Sequence, residues 1–262
     1  MPYLSKIPLN PRRRHALALL ANPHRLHAAV LAGLAIQPVS ERVLWRLEND
    51  NAHPPELLVL TESRPAWIHL TEQAGWPDAD GGTPLTADYR PLLDRIVRGR
   101  EFAFRLTANP VQTLRRPANP SAEQAAQLAK RDAEPGTAAE RGVRGFRMPH
   151  RTARQQLDWL LERTERHGFT IPAINESAPA PGLGEPGTPA PAVTLTARDV
   201  LRFRKGSTGP QVTLSTATYQ GRLQVTDPDT LRHTLLNGIG PAKAYGQGLL
   251  TLAPILQEQP DT

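Results

Sequence analysis

Apolar residues in the first half of the chain recur with two different periods, one typical of strands and one typical of helices. A period of two, with apolar and polar residues in turn, predicts four strands: Tyr3–Leu9, Arg42–Glu48, Glu56–Glu62 and Glu101–Ala108. Helical spacing of apolar residues predicts a helix over Ala21–Leu34 and a shorter one over Tyr89–Val97. The order strand–helix–strand–strand–helix–strand is typical of a ferredoxin-like domain.

The first predicted helix carries a clear start signal. Asn22 is a favourable N-cap residue, and Pro23 suits the first position of a helix. Leu26, Val30 and Leu34 follow at intervals of four residues and form one apolar face. The stretch therefore predicts an amphipathic helix that begins after Asn22.

The same order of elements recurs in the second half of the chain. Strands are predicted at Gly145–Pro149, Val193–Arg204 and Val212–Thr226 and in the sequence GLLTLAP. Helices are predicted over Thr152–His167, closed by Gly168, and from Asp227, where the sequence DPD is typical of an N-cap and first turn. We therefore predict an α+β fold of two tandem ferredoxin-like domains, whose four-stranded sheets often bind RNA.

Two polar segments interrupt this pattern. Pro117–Arg141 is rich in Ala, Pro and Glu, and Ser177–Ala192 is rich in Pro and Gly. Neither has a strong apolar period, so we interpret both as mobile insertions. The predicted domains are residues 1–116 and 145–262, joined by a linker at residues 117–144.

Composition narrows the range of functions. The chain of 262 residues has no cysteine, which excludes disulfides and thiolate metal sites and fits a reducing cytoplasm. No apolar run approaches the roughly 18 residues that a membrane span requires. The N-terminal charge cluster follows a strand-like stretch, which is the wrong order for a signal peptide. We therefore expect a cytoplasmic protein without a membrane partner.

The chain is basic, with a formal net charge of +6, which favours a polyanionic partner. Of its 31 basic residues, 27 are arginine and four are lysine, a skew that a GC-rich genome would also produce. The placement of these residues is more informative than their number, because they concentrate in three patches. The candidate RNA-binding residues in these patches are Arg13, Arg147, Arg151, Arg202, Arg204 and Lys205. The alternative for each is a solvated surface position.

Two of the eight histidines, His24 and His27, lie three residues apart on one face of the first predicted helix. No third ligand is recognisable near them, so we expect no metal site. Histidine titrates near pH 6.5 and can take a proton from an RNA 2′-hydroxyl or give one to the leaving 5′-oxygen. The pair is a candidate for RNA cleavage without a metal or other cofactor; the alternative is two surface histidines.

A glycine-rich segment late in the chain, NGIGPAKAYGQGLL, contains Gly238, Gly240, Lys243, Gly246 and Gly248. It is not a Walker P-loop, because alanine follows the lysine, and it does not follow the first strand of a dinucleotide-binding unit. Two alternatives stay open. The loop and Lys243 contact an RNA backbone, or the loop packs between the two domains.

Several motifs together resemble one known family. They are LSKIPLNP, ANPHRLH, VLWRLE, FRLTANP, LDWLLERTERHGF, YQGRLQVTDPD and GIGPAKAYGQGLLTLAP. In these motifs the chain is similar to the CasE-type CRISPR-associated endoribonucleases of type I-E systems, which belong to the RAMP superfamily and process precursor CRISPR RNA. The resemblance covers nearly the whole chain apart from the two polar insertions.

The resemblance implies metal-independent cleavage at the base of the CRISPR repeat hairpin, with a 2′,3′-cyclic phosphate and a 5′-hydroxyl as the product ends. It implies that His27 is catalytic and that His24, where the family often has tyrosine, assists. A serine that assists in some relatives corresponds to a position near Ala35. The resemblance further implies that the basic hairpin at Arg202–Lys205 grips the RNA stem, and that the protein stays with the processed RNA in the Cascade complex.

Two other functions stay open. The same fold serves equally well as a non-catalytic RNA-binding scaffold, which would bind the repeat RNA and leave it uncut. A metal-dependent nuclease would stop cleaving when EDTA removes its metal. The endoribonuclease is the leading prediction, because His27 occupies the position that is catalytic in the family.

Overall fold

The computed structural model describes residues 1–49, 53–133, 145–174, 190–206 and 208–255, and these form antiparallel sheets covered by helices. The strands are β1 (Tyr3–Pro8), β2 (Leu44–Glu48), β3 (Glu56–Thr61), β4 (Leu85–Asp88), β5 (Glu101–Ala108), β6 (Val111–Leu114), β7 (Phe146–Pro149), β8 (Phe169–Thr170), β9 (Ala173–Ile174), β10 (Ala190–Pro191), β11 (Val193–Arg204), β12 (Gln211–Val225) and β13 (Leu250–Ala253). The helices are α1 (Arg14–Leu20), α2 (Pro23–Leu31), α3 (Ile68–Ala74), α4 (Arg90–Leu93), α5 (Ala122–Ala133), α6 (Ala153–Leu161) and α7 (Pro228–Asn237). Two 3₁₀ turns lie at Glu165–His167 and Lys243–Tyr245.

The first sheet consists of the first four strands in the order β2–β3–β1–β4, with every pair antiparallel. Ile7 of β1 and Leu9, just after it, are fully buried in a core that Leu26 and Val30 of α2 also enter. Trp45 of β2 belongs to the same core. The apolar face of α2 therefore anchors this helix to the first sheet, and burying each such side chain contributes about 1.5–3 kcal/mol.

The second sheet has the order β11–β12–β5–β13, and β8 pairs with the far end of β12. Its core contains Phe102 and Phe104 of β5, Tyr219 of β12, Trp159 of α6 and Phe169 of β8. In both sheets the strand that comes first in the chain lies between the third and the fourth, which is the ferredoxin-like arrangement. The predicted fold of two tandem ferredoxin-like units is confirmed.

Two predicted strands lie elsewhere than expected. Glu101–Ala108 is β5, which pairs with β12 and β13, so the prediction that it completes the first domain is wrong. The short strand β4 takes that place beside β1. Gly145–Pro149 contains β7, which pairs with β6 instead of joining the second sheet. Alternation identifies a strand but not its partner, which tertiary packing selects. The strand pairing thus changes sheets between Asp88 and Glu101, before the predicted boundary at residue 116.

The helices also differ in extent from the prediction. α2 begins after an Asn22 N-cap, as predicted, but ends at Leu31. The predicted helix over Tyr89–Val97 shortens to the single turn of α4. The helices α1 and α3 have only seven residues each, too few for the apolar period to be recognised. None of the helices in the described ranges is long and apolar enough to cross a membrane.

In the second half the predicted helix over Thr152–His167 is divided. α6 starts with a capping box between Thr152 and Gln155 and ends at Leu161. Gly168 follows the 3₁₀ turn with φ 81°, the left-handed conformation expected of a C-terminal glycine. Asp227 accepts hydrogen bonds from the backbone of Asp229 and Thr230, which confirms it as the N-cap of α7.

Part of the predicted linker is a helix. α5 has no buried residue and contributes no side chain to either core. Its Ala, Gln, Glu, Lys and Arg residues are strong helix formers, and Glu123 in the first turn and Lys130 and Arg131 in the last lie at the ends that the helix dipole favours. Residues 134–144, with Arg141 and Arg144, and residues 175–189, most of the second predicted insertion, lie outside the described residues.

Arg46 of β2 connects the two sheets. Its side chain is almost fully buried and forms an ion pair with Glu48 at 2.6 Å. Its guanidinium donates to the carbonyls of Arg105 (3.0 Å) and Leu249 (2.9 Å) and to the hydroxyl of Thr251 (2.8 Å) in the second sheet. A buried guanidinium with this many partners holds the two sheets in one orientation.

Candidate functional site

α2 presents the two predicted catalytic histidines beside each other. The Asn22 side chain accepts hydrogen bonds from the backbone N–H groups of His24 (3.0 Å) and Arg25 (3.4 Å), which satisfies amides that the helix leaves free. Leu26 faces the core, and His24 and His27 lie half-buried at its border. Within the described residues, no group of three or more His, Cys, Asp or Glu side chains forms a metal-binding cluster.

His27 is held by the indole of Trp45. Trp45 Nε1 donates a hydrogen bond to His27 Nδ1 over 3.2 Å. Burial of the imidazole lowers the pKa of His27 below its usual 6.5, and the neighbouring charge of His24 lowers it further. The ring is therefore largely neutral near pH 7.

The β11–β12 hairpin reaches the start of α2. Asn22 Nδ2 donates a hydrogen bond to the carbonyl of Arg204 over 3.3 Å. Phe203 packs edge-on against Tyr245, with 4.9 Å between the ring centroids, and Lys205 Nζ lies 6.0 Å from the centroid of the same tyrosine. The structure thus places the basic hairpin next to the helix that carries the two histidines.

A cleft of about 840 Å³ brings together most of the predicted arginines. Arg147 of β7 and Arg151, just before α6, line it from one side. Arg202 and Lys205 of the hairpin line it from the other. Two patches that are separate in the sequence therefore form one cationic surface, which is suited to phosphate groups.

Three further residues of the cleft are absent from the sequence prediction. Arg198 donates to Gln156 Oε1 over 2.7 Å and to the carbonyl of Arg151, and it extends the hairpin patch. Asp199 adds a carboxylate to the same wall. Asn109 is only 6% exposed, and its Oδ1 has no hydrogen-bond partner in the described part of the chain. Arg198 could have been included from its place beside the hairpin patch, whereas Asn109 carries no local signal.

Three of the predicted RNA contacts, Arg13, Arg204 and Lys243, do not line this cleft. Arg13 donates a hydrogen bond to the carbonyl of Glu72 in α3. Lys243 lies in the 3₁₀ turn of the glycine segment, where burial and the nearby charge of Arg42 lower its pKa. Arg13 and Lys243 therefore do not share the cleft with the hairpin cations Arg202 and Lys205.

The glycine segment, residues 237–250, packs closely against both sheets. All four predicted glycines, Gly238, Gly240, Gly246 and Gly248, adopt positive φ. A Cβ at Gly246 would lie 2.6 Å from Trp45 Cζ3, and one at Gly240 would lie 3.0 Å from Trp159 Cη2. Only glycine allows the backbone to approach these rings so closely. This geometry favours the packing alternative for the loop.

Known proteins resemble this chain over nearly its whole length. A family model described as "CRISPR associated protein" matches residues 2–254. The CRISPR-associated endoribonuclease Cse3 of Thermus thermophilus is 31% identical over 256 residues, which cover 96% of this chain and 100% of that protein.

Solved structures agree with these matches. Thermus thermophilus Cse3 bound to an RNA representing a pre-cleavage complex has a TM-score of 0.65 and 29% identity, covering 97% of this chain and 99% of that chain. A chain of a CRISPR RNA-guided surveillance complex in a pre-nicking state has a TM-score of 0.56, with 97% and 100% covered, and its 21% identity shows the likeness of fold alone. Fold and comparisons together define a CRISPR-associated protein of the RAMP superfamily. More narrowly, the chain belongs to the CasE-type endoribonucleases of type I-E systems, as its motifs predict.

Proposed function

We propose that this protein is a metal-independent endoribonuclease that processes precursor CRISPR RNA in the cytoplasm. It binds the stem-loop of the CRISPR repeat and cuts at the 3′ base of the hairpin. The 2′-hydroxyl attacks the neighbouring phosphate, which leaves a 2′,3′-cyclic phosphate and a 5′-hydroxyl. The protein then stays with the processed RNA in the type I-E Cascade complex.

The observation that carries this proposal is the contact between the histidine helix and the basic hairpin. The hydrogen bond from Asn22 to the carbonyl of Arg204 links the N-cap of α2 to the hairpin that carries Arg202 and Lys205. An RNA whose phosphates lie against the hairpin is thereby held beside His27 and His24. Fixed placement of a reacting phosphate is itself a large part of catalysis.

In the proposed reaction His27 acts as the general base or the general acid, and His24 assists or orients it. A base removes the 2′-hydroxyl proton as the O2′–P bond forms, and an acid protonates the 5′-oxygen as the P–O5′ bond breaks. An imidazole can make either transfer near neutral pH, and burial together with the charge of His24 lowers the pKa of His27 in favour of the neutral ring. All of the steps can be carried out by side chains of this protein.

Several lines support RNA as the ligand. The relative Cse3 is named an endoribonuclease and has been solved with RNA. The cleft that Arg147, Arg151, Arg202 and Lys205 line supplies the cations that an RNA backbone requires. The proposed Cascade association follows from membership of the CasE-type family.

Cleavage of the cognate repeat RNA in the presence of EDTA tests the proposal against its two alternatives. The wild-type protein is expected to cut in EDTA, and His27→Ala is expected to lose cleavage by at least about a hundredfold while binding survives. His233→Ala, which removes an exposed histidine of α7, is the matched control and should cut normally. Tight binding of uncut RNA by the wild type would instead show a scaffold, and loss of cleavage in EDTA would show a metal-dependent nuclease.

A further inference from the structure

The hydrogen bond from Trp45 determines which nitrogen of His27 carries the proton. An indole N–H can only donate, so His27 Nδ1 must present its lone pair to Trp45 Nε1, which lies 3.2 Å away. In the neutral imidazole one nitrogen is protonated and the other is not. The proton of neutral His27 is therefore on Nε2.

Trp45 is itself held in place from two directions. Its side chain is 2% exposed and packs in the core of the first sheet. On its other side the backbone of Gly246 lies so close that a Cβ there would approach Trp45 Cζ3 to 2.6 Å. The indole cannot shift far without moving either the core or the glycine segment, so its N–H marks a fixed point for the imidazole.

We propose that Trp45 is a positioning residue for RNA cleavage: its indole N–H fixes the tautomer of His27 and leaves Nε2, which carries a proton in the neutral ring and in the imidazolium, as the nitrogen available to RNA. Because a protonated nitrogen donates and cannot accept, this selects the general-acid role of His27, in which Nε2–H of the imidazolium protonates the leaving 5′-oxygen as the P–O5′ bond breaks, over the general-base role. Nε2 makes no hydrogen bond within the described part of the chain. The proposal rests on the catalytic role proposed above for His27. It adds Trp45 of β2, a residue in the core of the first sheet, to the groups that act in cleavage.

The hydrogen bond from Trp45 also affects whether His27 becomes protonated. A second proton would have to bind Nδ1, where it would meet the N–H of Trp45, so the hydrogen bond must break when the imidazolium forms. The indole therefore opposes protonation, in the same direction as burial and the charge of His24. The charged and titratable groups on the elements packed against α2 are Arg14, His15, His69, Glu72, Arg198, Asp199, Arg202, Arg204, Lys243 and Tyr245. Of these groups and His24, His24 is the one whose charge lowers the pKa of His27.

Trp45→Phe tests the proposal, because it keeps an aromatic ring in the core and removes the N–H. We expect the pKa of His27, followed by NMR titration, to rise by roughly 0.5–1 pH unit, the effect of losing one hydrogen bond to the neutral form. The preference for the Nε2–H tautomer should weaken in ¹⁵N spectra. The pH profile of single-turnover cleavage should move by the same amount, with RNA affinity unchanged within about twofold.

Trp159→Phe is the matched control. Trp159 is a second tryptophan with 2% exposure, and its ring stacks on Tyr219 in the core of the second sheet. This change should lower stability without moving the titration of His27. The spectrum of the unaltered protein provides a test that does not depend on any variant folding. A proton found on Nδ1 of neutral His27 would overturn the proposal.

The outcomes separate this proposal from the proposed function. If neither the titration nor the tautomer of His27 responds to Trp45→Phe, then Trp45 is only a core residue, whatever His27→Ala does to cleavage. If the titration moves while the cleavage profile stays where it was, the contact with Trp45 is supported and the catalytic role of His27 is contradicted. Joint movement of titration and cleavage supports both.

Discussion

Asn22 and Arg204, 182 positions apart in the chain, are joined by a hydrogen bond of 3.3 Å from the Asn22 amide to the Arg204 carbonyl. The same asparagine caps α2 through its Oδ1. One side chain thus performs two tasks with two different atoms: its oxygen starts the histidine helix, and its nitrogen connects that helix to the basic hairpin.

Asn22→Asp separates these two tasks. Aspartate caps a helix as well as asparagine does, so the free energy of unfolding should change by less than about 0.5 kcal/mol. It cannot donate to the Arg204 carbonyl, so the hairpin loses its link to α2 and single-turnover cleavage should slow by about tenfold. Thermal unfolding and cleavage rates measure the two effects. Asn22→Ala loses both the cap and the hydrogen bond to Arg204, so it should also lower stability by about 1 kcal/mol. Equal cleavage rates for the wild type and Asn22→Asp would show that the hydrogen bond to Arg204 does not contribute to cleavage.

Gly246→Ala tests the contact between the glycine segment and Trp45. Gly246 has φ 77°, and its added Cβ would lie 2.6 Å from the indole. Gly81 has nearly the same φ, 75°, but no atom within 4 Å of its added Cβ, so Gly81→Ala is the matched control for backbone strain. We expect Gly246→Ala to be less stable than Gly81→Ala by about 1–3 kcal/mol in urea unfolding. Equal losses of stability in the two variants would mean that the Trp45 indole moves aside without an energetic cost.

Arg147→Ala and Arg151→Ala test the cationic cleft. Each side chain that neutralises one phosphate contributes slightly less than about one unit to the slope of log affinity against log salt. Each substitution should therefore weaken binding of the repeat RNA and reduce that slope by about one unit in a titration at several salt concentrations. Arg90→Ala is the control, because Arg90 pairs with Asp88 and does not line the cleft. The salt dependence of RNA binding by this variant should match that of the wild type. An unchanged slope for both cleft variants would remove them from the RNA contacts.

His167 predicts a loss of stability in mild acid. Burial, followed by the charges of Arg166, Lys243, Arg163 and His233, lowers the pKa of His167 to about 4. The folded state therefore favours the neutral ring, whose stabilising contribution is complete above pH 6.5 and is lost as the pH falls from about 6.5 towards 4.

We expect this histidine to account for about 1 kcal/mol of the stability lost between pH 7.5 and pH 5, after allowance for its partial exposure. Urea unfolding at the two pH values measures the difference. His167→Gln, which keeps a polar partner for Thr234, should lose correspondingly less stability on acidification. The same pH dependence in wild type and variant would show that His167 titrates normally.

Local signals account for the parts of the fold that the sequence predicts well. The caps at Asn22 and Asp227 and the left-handed Gly168 involve atoms only a few residues apart, so composition is enough to identify them. The alternation in Glu101–Ala108 likewise identifies a strand. Its place in the second sheet depends on pairing with β12, which lies more than a hundred residues away. The sequence of β5 does not specify this partner.

The candidate site divides in the same way. The spacing of His24 and His27 on one helix face is a local property, and the sequence alone was sufficient to propose them as a pair. The contacts of His27 with Trp45 and of Asn22 with Arg204 exist only because two sheets and a hairpin meet at α2. By itself the sequence determined the long strands, the helices α2, α6 and α7, the caps, the family and the charge, because these depend on neighbouring residues. The tertiary structure alone decided which arginines share a cleft and which nitrogen of His27 is engaged, because long-range packing brings those atoms within hydrogen-bonding distance.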